Sequence, residues 1–165
     1  IYGISAFGLA NQLGIARGEA DSYIKKYFER FPGIRDYMES TKAFARENGY
    51  VETIFGRRIH IRDVRAQNAA LRAFGERQAI NAPLQGSAAD IIKVAMLDVE
   101  KALDDAGMRS RMLLQVHDEL VFEVGPGERD ALEELVRTKM GQAVTLNVPL
   151  DVSVGVGRSW HDAAH

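Results

Sequence analysis

Apolar residues recur at steps of three and four along the first part of the chain, which indicates amphipathic helices. One apolar face covers residues 20–31, where Pro32-Gly33 interrupts it. The same spacing resumes over residues 34–45, and Asn48-Gly49 then supplies a stop signal. We therefore predict a helical hairpin over this part of the chain.

The period of the pattern then changes to two. Apolar side chains alternate over residues 51–55 and again over 59–61, and Gly56 lies between the two runs. This arrangement predicts a small β-hairpin. Basic side chains surround its turn and its return strand: Arg57, Arg58, His60 and Arg62.

Two helices are predicted next. An alanine- and arginine-rich stretch over residues 65–80 has helical character, and Pro83 is expected to punctuate it. Ser87 can cap a second, long helix with a buried apolar face, which Gly107 closes.

The last third of the chain predicts strands around one more helix. Two apolar strands, at residues 112–116 and 120–124, are expected to be buried, with only His117-Asp118-Glu119 between them. A helix follows over 132–140, and an alternating run over 148–156 predicts a final strand. Helices first and antiparallel strands later indicate an α+β fold, with a helical part and a small antiparallel sheet packed by helices.

Charge is distributed unevenly, although the net charge is only −2 and excludes a uniformly basic nucleic-acid-binding protein. Residues 57–77 contain six arginines and two acids, which leaves an excess of four positive charges. Residues 98–139 contain eleven acids and six bases, an excess of five negative charges. The first stretch suits an anionic partner, and the second suits metal ions or plain solvent.

Three features that the sequence lacks limit the kinds of site, partner and processing that we expect. Without cysteine, disulfides and thiolate metal sites are excluded, which is consistent with a reducing cytoplasm. No apolar run approaches the ~20 residues that span a bilayer, so we expect no membrane partner. The chain opens on Ile-Tyr-Gly with neither an initiator methionine nor a charged leader, which predicts a segment from the middle of a longer protein.

The three residues between the predicted buried strands are the main candidates for chemistry. A carboxylate on a tight turn between two strands is held at a fixed point, and Mg²⁺ prefers such oxygen ligands. Aspartate is also a common turn former, and taken alone an Asp-Glu pair in a hairpin is more often a solvated turn than a metal site.

The surrounding motifs favour the metal site. Residues 115–119 (Gln-Val-His-Asp-Glu), flanked by apolar strands, resemble the last catalytic motif of the bacterial DNA polymerase I family, the family A polymerases. Residues 1–9 look like the end of the fingers helix, 77–90 like the palm segment along the duplex minor groove, and 148–160 like the C-terminal strand and tail. The resemblance covers essentially the whole chain. It divides the chain into fingers-derived helices with the basic hairpin (1–62) and a palm segment (63–165).

The resemblance implies catalytic roles for three residues. Asp118 would be one of two aspartates that hold a pair of Mg²⁺ ions. Glu119 would be auxiliary, with a solvent-facing position as an equal alternative. His117 would donate a hydrogen bond near the primer end, or be merely structural.

It also implies contacts with DNA. Arg77, Asn81 and Gln85 are spaced by four, so a helix would place them along one side, although Pro83 is expected to disturb the last of them. By resemblance they would reach minor-groove acceptors. The plain alternative is a helix that packs through its alanines while these three polar residues face water.

Four further residues complete the expected site. Tyr2 would stack near the template base and the nascent pair, and Gly3 would leave room beside it. Arg57 and Arg58 are candidates for phosphate contacts, because the planar guanidinium suits anionic oxygens. A solvated basic hairpin is the competing interpretation for the two arginines.

The function implied is DNA-directed nucleotidyl transfer by a two-metal mechanism, in replication and repair, at the nucleoid in the cytoplasm. The partners would be primer–template DNA, deoxynucleoside triphosphates and the upstream part of the same polymerase. In the family the other catalytic aspartate and the triphosphate-binding arginine and lysine precede Ile1, so we expect the isolated chain to be incomplete for catalysis. A non-catalytic duplex-binding module is the main alternative. A phosphodiesterase would need more metal-spaced Asp, Glu or His residues than this one cluster.

Overall fold

The computed structural model describes residues 3–164. The contacts within the chain divide it into two compact units, Ile1–Ser87 and Ala88–His165, and each unit is described by itself. The predicted boundary between residues 62 and 63 concerns polymerase subdomains, and it stays a prediction. Tyr2 lies outside the described residues.

Three helices open the first unit: α1 (Ala6–Leu13), α2 (Arg17–Arg30) and α3 (Pro32–Asn48). The Ser5 hydroxyl caps α1 by accepting a hydrogen bond from the Gly8 N–H at 3.1 Å. A helix therefore begins within residues 1–9, and the expected end of the fingers helix in the same segment stays a prediction. Pro32 begins α3, and Gly49, with φ 78°, ends it. The predicted helical hairpin of α2 and α3 is confirmed.

The predicted β-hairpin is also confirmed. Strand β1 (Tyr50–Glu52) pairs antiparallel with β2 (Arg58–His60), and a 3₁₀ turn (Arg62–Arg65) follows. The buried core of the unit combines α3, the hairpin, the 3₁₀ turn and the next helix. Its buried members are Ala45, Val51, Ile61, Val64 and Ala79.

The break predicted near Pro83 was wrong, because a single helix, α4 (Ala69–Asp105), runs through it. Proline in a helix interior removes one hydrogen bond and costs about 3 kcal/mol, but buried neighbours such as Ala79 and Ile80 hold the helix in place. Ser87 caps nothing. Its hydroxyl is buried and accepts a hydrogen bond from the Ile54 N–H at 3.0 Å.

Tyr37 supports α4 beside the proline. Pro83 has no N–H to offer the carbonyl of Ala79, four residues earlier. The Tyr37 hydroxyl donates to the next carbonyl, that of Ile80, at 2.8 Å. Burial disfavours the charged form of the phenol and raises the pKa of Tyr37.

The second unit contains the later part of α4, β3 (Arg111–Val116), β4 (Glu119–Glu123), α5 (Arg129–Gly141) and α6 (Trp160–Ala163). Its buried core joins α4 to α5 through Val99, Leu103, Leu132 and Val136. Met112 and Phe122, an opposed pair on β3 and β4, pack against this core. The predicted helix over 132–140 and the predicted stop at Gly107 (φ 62°) are confirmed.

Strands β3 and β4 are less buried than predicted. Leu113 and Leu114 are 53% and 41% exposed. The register shifts between Met112 and Leu114, which inserts Leu113 as an extra residue. A two-stranded ribbon packs only one face on the core, so apolar side chains that point away from this face stay open to solvent.

The predicted final strand was wrong, because residues 148–156 are assigned to no strand or helix. The alternation still shows in burial, since Val152 and Val154 are half-buried while Asp151 and Ser153 are exposed. A strand needs a hydrogen-bonded neighbour. Arg137 of α5 donates to the Val152 carbonyl at 2.5 Å instead.

The described residues thus form helices with two separate two-stranded antiparallel sheets. The predicted α+β class is confirmed. Within residues 3–164 even the longest helix, α4, is too polar to cross a lipid bilayer.

Candidate catalytic and nucleic-acid site

The turn between β3 and β4 presents the central candidate, Asp118. Val116 pairs with Glu119, so the turn is formed by His117 and Asp118 alone, and Glu119 belongs to β4. His117 has φ 53°, a left-handed conformation that histidine adopts more readily than most residues. The side-chain amide of Gln115 donates to the His117 carbonyl at 2.5 Å. This hydrogen bond stabilises the turn, and we call it the brace.

The side chain of Asp118 is exposed and makes no hydrogen bond or ion pair within residues 3–164. Both of its carboxylate oxygens are therefore free to bind a hard cation. His117 and Glu119 are exposed beside it. Across the described residues no three His, Asp or Glu side chains come together as a metal cluster. The donor chemistry fits one ligand of a magnesium site.

A second set of hydrogen bonds fastens the opposite end of the β3–β4 hairpin. Both carboxylate oxygens of Glu128 accept from the Arg109 N–H, at 2.9 and 3.0 Å. Glu128 also accepts from the N–H and hydroxyl of Ser110, at 2.7 and 2.8 Å. The Ser110 hydroxyl in turn accepts from the Gly125 N–H at 2.9 Å. One carboxylate thereby ties together the segments that lead into β3 and out of β4.

These hydrogen bonds predict acid sensitivity. The Arg109 N–H, followed by the groups of Ser110, lowers the pKa of Glu128. A lowered folded-state pKa contributes stability above the ordinary glutamate pKa of about 4.3, and this stability is lost as pH falls through the folded value. We expect Glu128→Gln to lower the thermal midpoint at pH 7, and the gap to wild type to narrow below about pH 4.

The matched control for this prediction is Glu134→Gln, which alters an exposed glutamate of α5 without a bonded partner in the described residues. It should leave the thermal midpoint unchanged at both pH values. The assignment would be contradicted if the difference in thermal midpoint between wild type and Glu128→Gln stayed constant from pH 7 to about pH 3.5. The lower pH is about a unit below the ordinary glutamate pKa.

Because α4 is unbroken, Arg77, Asn81 and Gln85 lie along one side of one helix, at successive rises of about 6 Å. The side chains of Arg77 and Gln85 are exposed, and neither makes a hydrogen bond or ion pair within residues 3–164. Asn81 is half-buried, and its Oδ1 is a buried acceptor without a partner there. We call these three residues the donor row.

The structure brings two predicted site residues together. Gly3 has φ 82°, and a Cβ placed on it would lie 3.1 Å from Cγ of Arg77. The aliphatic stem of Arg77 therefore packs on the bare face of Gly3. Any larger residue at position 3 would be strained by its φ and would push the first member of the donor row aside.

The side chains of the two arginines in the β1–β2 hairpin contact other residues of the protein. Arg57 Nη2 donates to the Gly86 carbonyl of α4 at 3.3 Å. The Arg58 guanidinium lies 4.5 Å from the ring centroid of Tyr50, and its Nε lies 3.5 Å from a Glu52 carboxylate oxygen. Arg58 retains further N–H groups, and the phosphate contacts of both arginines stay a prediction.

The supporting roles of several residues were not predicted from the sequence. Gln115 lies inside the recognised motif, so its brace could have been suspected from its place beside the turn. Tyr37, Ser87 and Glu128 act over separations of 43, 33 and 18 residues. No local pattern marks such contacts.

The chain belongs to DNA polymerase family A, whose model matches residues 1–162. It is 56% identical over 164 residues to DNA polymerase I of Mycobacterium tuberculosis and 57% identical over 169 residues to DNA polymerase I of Rhizobium leguminosarum. Both alignments cover 99% of this chain, and they cover 18% and 17% of those relatives. The resemblance inferred from the motifs is confirmed.

The fold is similar to a solved structure, the POL domain of Pol1 from M. smegmatis in complex with DNA primer-template and dNTP. The TM-score is 0.96 at 56% identity, and the match covers 99% of this chain and 29% of that one. The chain thus spans about a fifth of the length of the curated relatives that it matches.

Proposed function

We propose that this chain is part of a template-directed DNA polymerase and supplies one of its metal-binding carboxylates. The observation that supports this most is Asp118, exposed and without a partner in the described residues, on a turn braced by Gln115. The partners would be primer–template DNA and deoxynucleoside triphosphates, as in the solved relative. Membership of the family supports the assignment.

Asp118 would hold divalent metal, two Mg²⁺ ions in the complete site together with carboxylates from outside the described residues. When bound, such ions activate the primer 3′-hydroxyl and neutralise charge on the triphosphate. The chain's own part is positional. The two-residue turn and its brace keep the Asp118 carboxylate at a fixed place, so little reorganisation is required when the ligands arrive.

Glu119 and His117 would assist beside the metal site. Glu119 follows Asp118 directly and begins β4, and its exposed carboxylate would serve as an auxiliary group. The exposed His117 ring would donate a hydrogen bond near the primer terminus. The left-handed backbone conformation of His117 is uncommon for residues other than glycine, and such conformations cluster at functional sites.

The donor row would read the minor groove. Every Watson–Crick pair presents acceptors there at equivalent positions, N3 of purines and O2 of pyrimidines. Donors aimed at these atoms test the shape of a pair without reading its sequence, which a copying enzyme requires. The side chains of Arg77 and Gln85 make no hydrogen bond or ion pair within the described residues, which supports this role. Tyr2 would stack near the template base and the nascent pair, and Gly3 would leave room beside it. Arg57 and Arg58 would meet phosphates.

A primer-extension assay on the full-length protein tests the proposal. With Mg²⁺, a labelled primer–template and the four nucleotides, we expect extension that stops when EDTA is added. The isolated 165-residue chain should give none, since one metal-binding aspartate cannot form the complete site.

The alternative, a non-catalytic duplex-binding module, makes a different prediction. The full-length protein would then bind DNA with an affinity that falls with salt, by about 0.9 logarithmic units per released counterion per log unit of salt, yet never extend a primer. Binding without extension would overturn the polymerase assignment. Robust extension by the isolated chain would overturn the assignment of the other ligands to residues outside it.

A further inference from the structure

The loop between β1 and β2 exposes two consecutive large apolar side chains. Ile54 is 54% and Phe55 is 46% exposed, and we call this pair the apolar tip. A single exposed apolar residue needs no explanation. Two in succession on a short loop next to a basic stretch suggest a contact surface.

The loop that bears the apolar tip is tightly fastened. The Thr53 hydroxyl accepts from the N–H groups of Phe55 and Arg57, at 3.3 and 3.2 Å. The Gly56 N–H donates to the Thr53 carbonyl at 2.9 Å, and the Ile54 N–H donates to the Ser87 hydroxyl at 3.0 Å. These bonds hold Ile54 and Phe55 outward, so a partner that meets them loses little loop entropy.

The loop lies at one end of the donor row. Gly86, the residue after Gln85, is buried against the hairpin, and a Cβ on it would lie 2.7 Å from Ile59 Cδ1 and 2.9 Å from Thr53 Cγ2. Arg57 bonds to the Gly86 carbonyl. The helix and the loop therefore meet directly beside the last minor-groove donor.

From this geometry we infer that the apolar tip packs against deoxyribose at the edge of the minor groove, beyond the donor row. The inference rests on the proposed function and extends its DNA-binding surface. Sugar carbons line the groove walls and offer apolar contact, while the phosphates on either side suit the exposed Arg58 and Arg62. Architectural proteins that bind the minor groove also combine apolar side chains with arginines, but they insert the apolar groups between base steps, whereas the apolar tip would pack on sugar without unstacking bases.

Charge favours this partner over a protein surface. Residues 57–77, which begin at the loop, have an excess of four positive charges. An apolar contact inside a basic surface matches a backbone that alternates sugars and phosphates. Reading of base edges is not required, so the contact would be independent of sequence.

The test compares DNA affinity of full-length variants. The double variant Ile54→Ala/Phe55→Ala should raise the Kd for a fluorescent primer–template about tenfold, equivalent to about 1.4 kcal/mol. The dependence of Kd on salt should keep its slope, because no counterion-releasing contact is removed. Phe31→Ala is the matched control, a phenylalanine with similar exposure, 45%, between α2 and α3. It should leave Kd unchanged.

Other outcomes would overturn the inference. An unchanged Kd in the double variant would refute the inference. The proposed function would still stand if the wild-type protein binds primer–template DNA. A lower thermal midpoint of the DNA-free protein with unchanged Kd would show that another part of the polymerase covers the apolar tip. Failure of the wild-type full-length protein to bind primer–template would overturn the proposed function together with the inference.

Discussion

Replacing Asp118 by alanine in the full-length protein is expected to lower the rate of nucleotide addition by about 10³-fold or more, since metal-borne charge stabilisation contributes several kcal/mol. The affinity for primer–template DNA should stay nearly unchanged. The carboxylate makes no bond within the described residues and is exposed on a turn, so its removal should not unfold the hairpin. Single-turnover extension and DNA titration measure the two quantities separately.

Asp104→Ala is the matched control for this experiment, because it removes an exposed aspartate near the end of α4. It should retain the rate of wild type. A variant at Asp118 that still extends primers at the wild-type rate would remove the aspartate from the active site. Loss of the folded state in the same variant would assign it a structural role instead.

Gly75→Ala is expected to destabilise the protein by about 3 kcal/mol, the upper part of the usual range for overpacking. A Cβ at position 75 would lie 2.5 Å from the Val64 nitrogen and 2.6 Å from the Asp63 carbonyl carbon. Both are backbone atoms of the 3₁₀ turn, and a backbone cannot rotate away as a flexible side chain can. Either α4 or the turn must move, which would open the buried cluster around Val64 and Ala79.

Hydrogen–deuterium exchange of the full-length protein measures this effect locally, because peptides over residues 62–80 report the opening of this region. Gly33→Ala is the control. Gly33 lies inside α3, and beyond its chain neighbours and the backbone of its own helix no described atom lies within 4 Å of a Cβ placed on it. Alanine at this position should therefore be neutral or add about 0.4–1 kcal/mol. Equal protection in the two variants would contradict the close approach at Gly75.

Local patterns carried the predictions of the helical hairpin, both β-hairpins and α5, because each depends on periodicity and on stop signals within a few residues. The candidate catalytic residues were likewise found from one short motif, since Asp118 is presented by a turn only two residues long. Its brace, Gln115, is three residues away. The residues of such a site are close together in the sequence, so a short segment is enough to identify them.

The predictions that failed required knowledge of distant neighbours. Pro83 has a strong local signal for a break, yet buried contacts keep α4 continuous. Residues 148–156 alternate as a strand does, but a strand exists only with a paired neighbour, and none of the described strands pairs with them. Leu113 and Leu114 are apolar and still exposed, because a bulge and a one-sided ribbon decide which face is covered.

The sequence by itself determined the family, the α+β class and the identity of the candidate chemical groups, because these depend on residue types at short, ordered spacings. Only the tertiary structure decided that the donor row lies on an unbroken helix, that Arg77 packs on Gly3, and that Glu128 fastens the hairpin of Asp118. The reason is physical. Such contacts join residues far apart along the chain, and their free energy exists only once the surrounding core has brought them together.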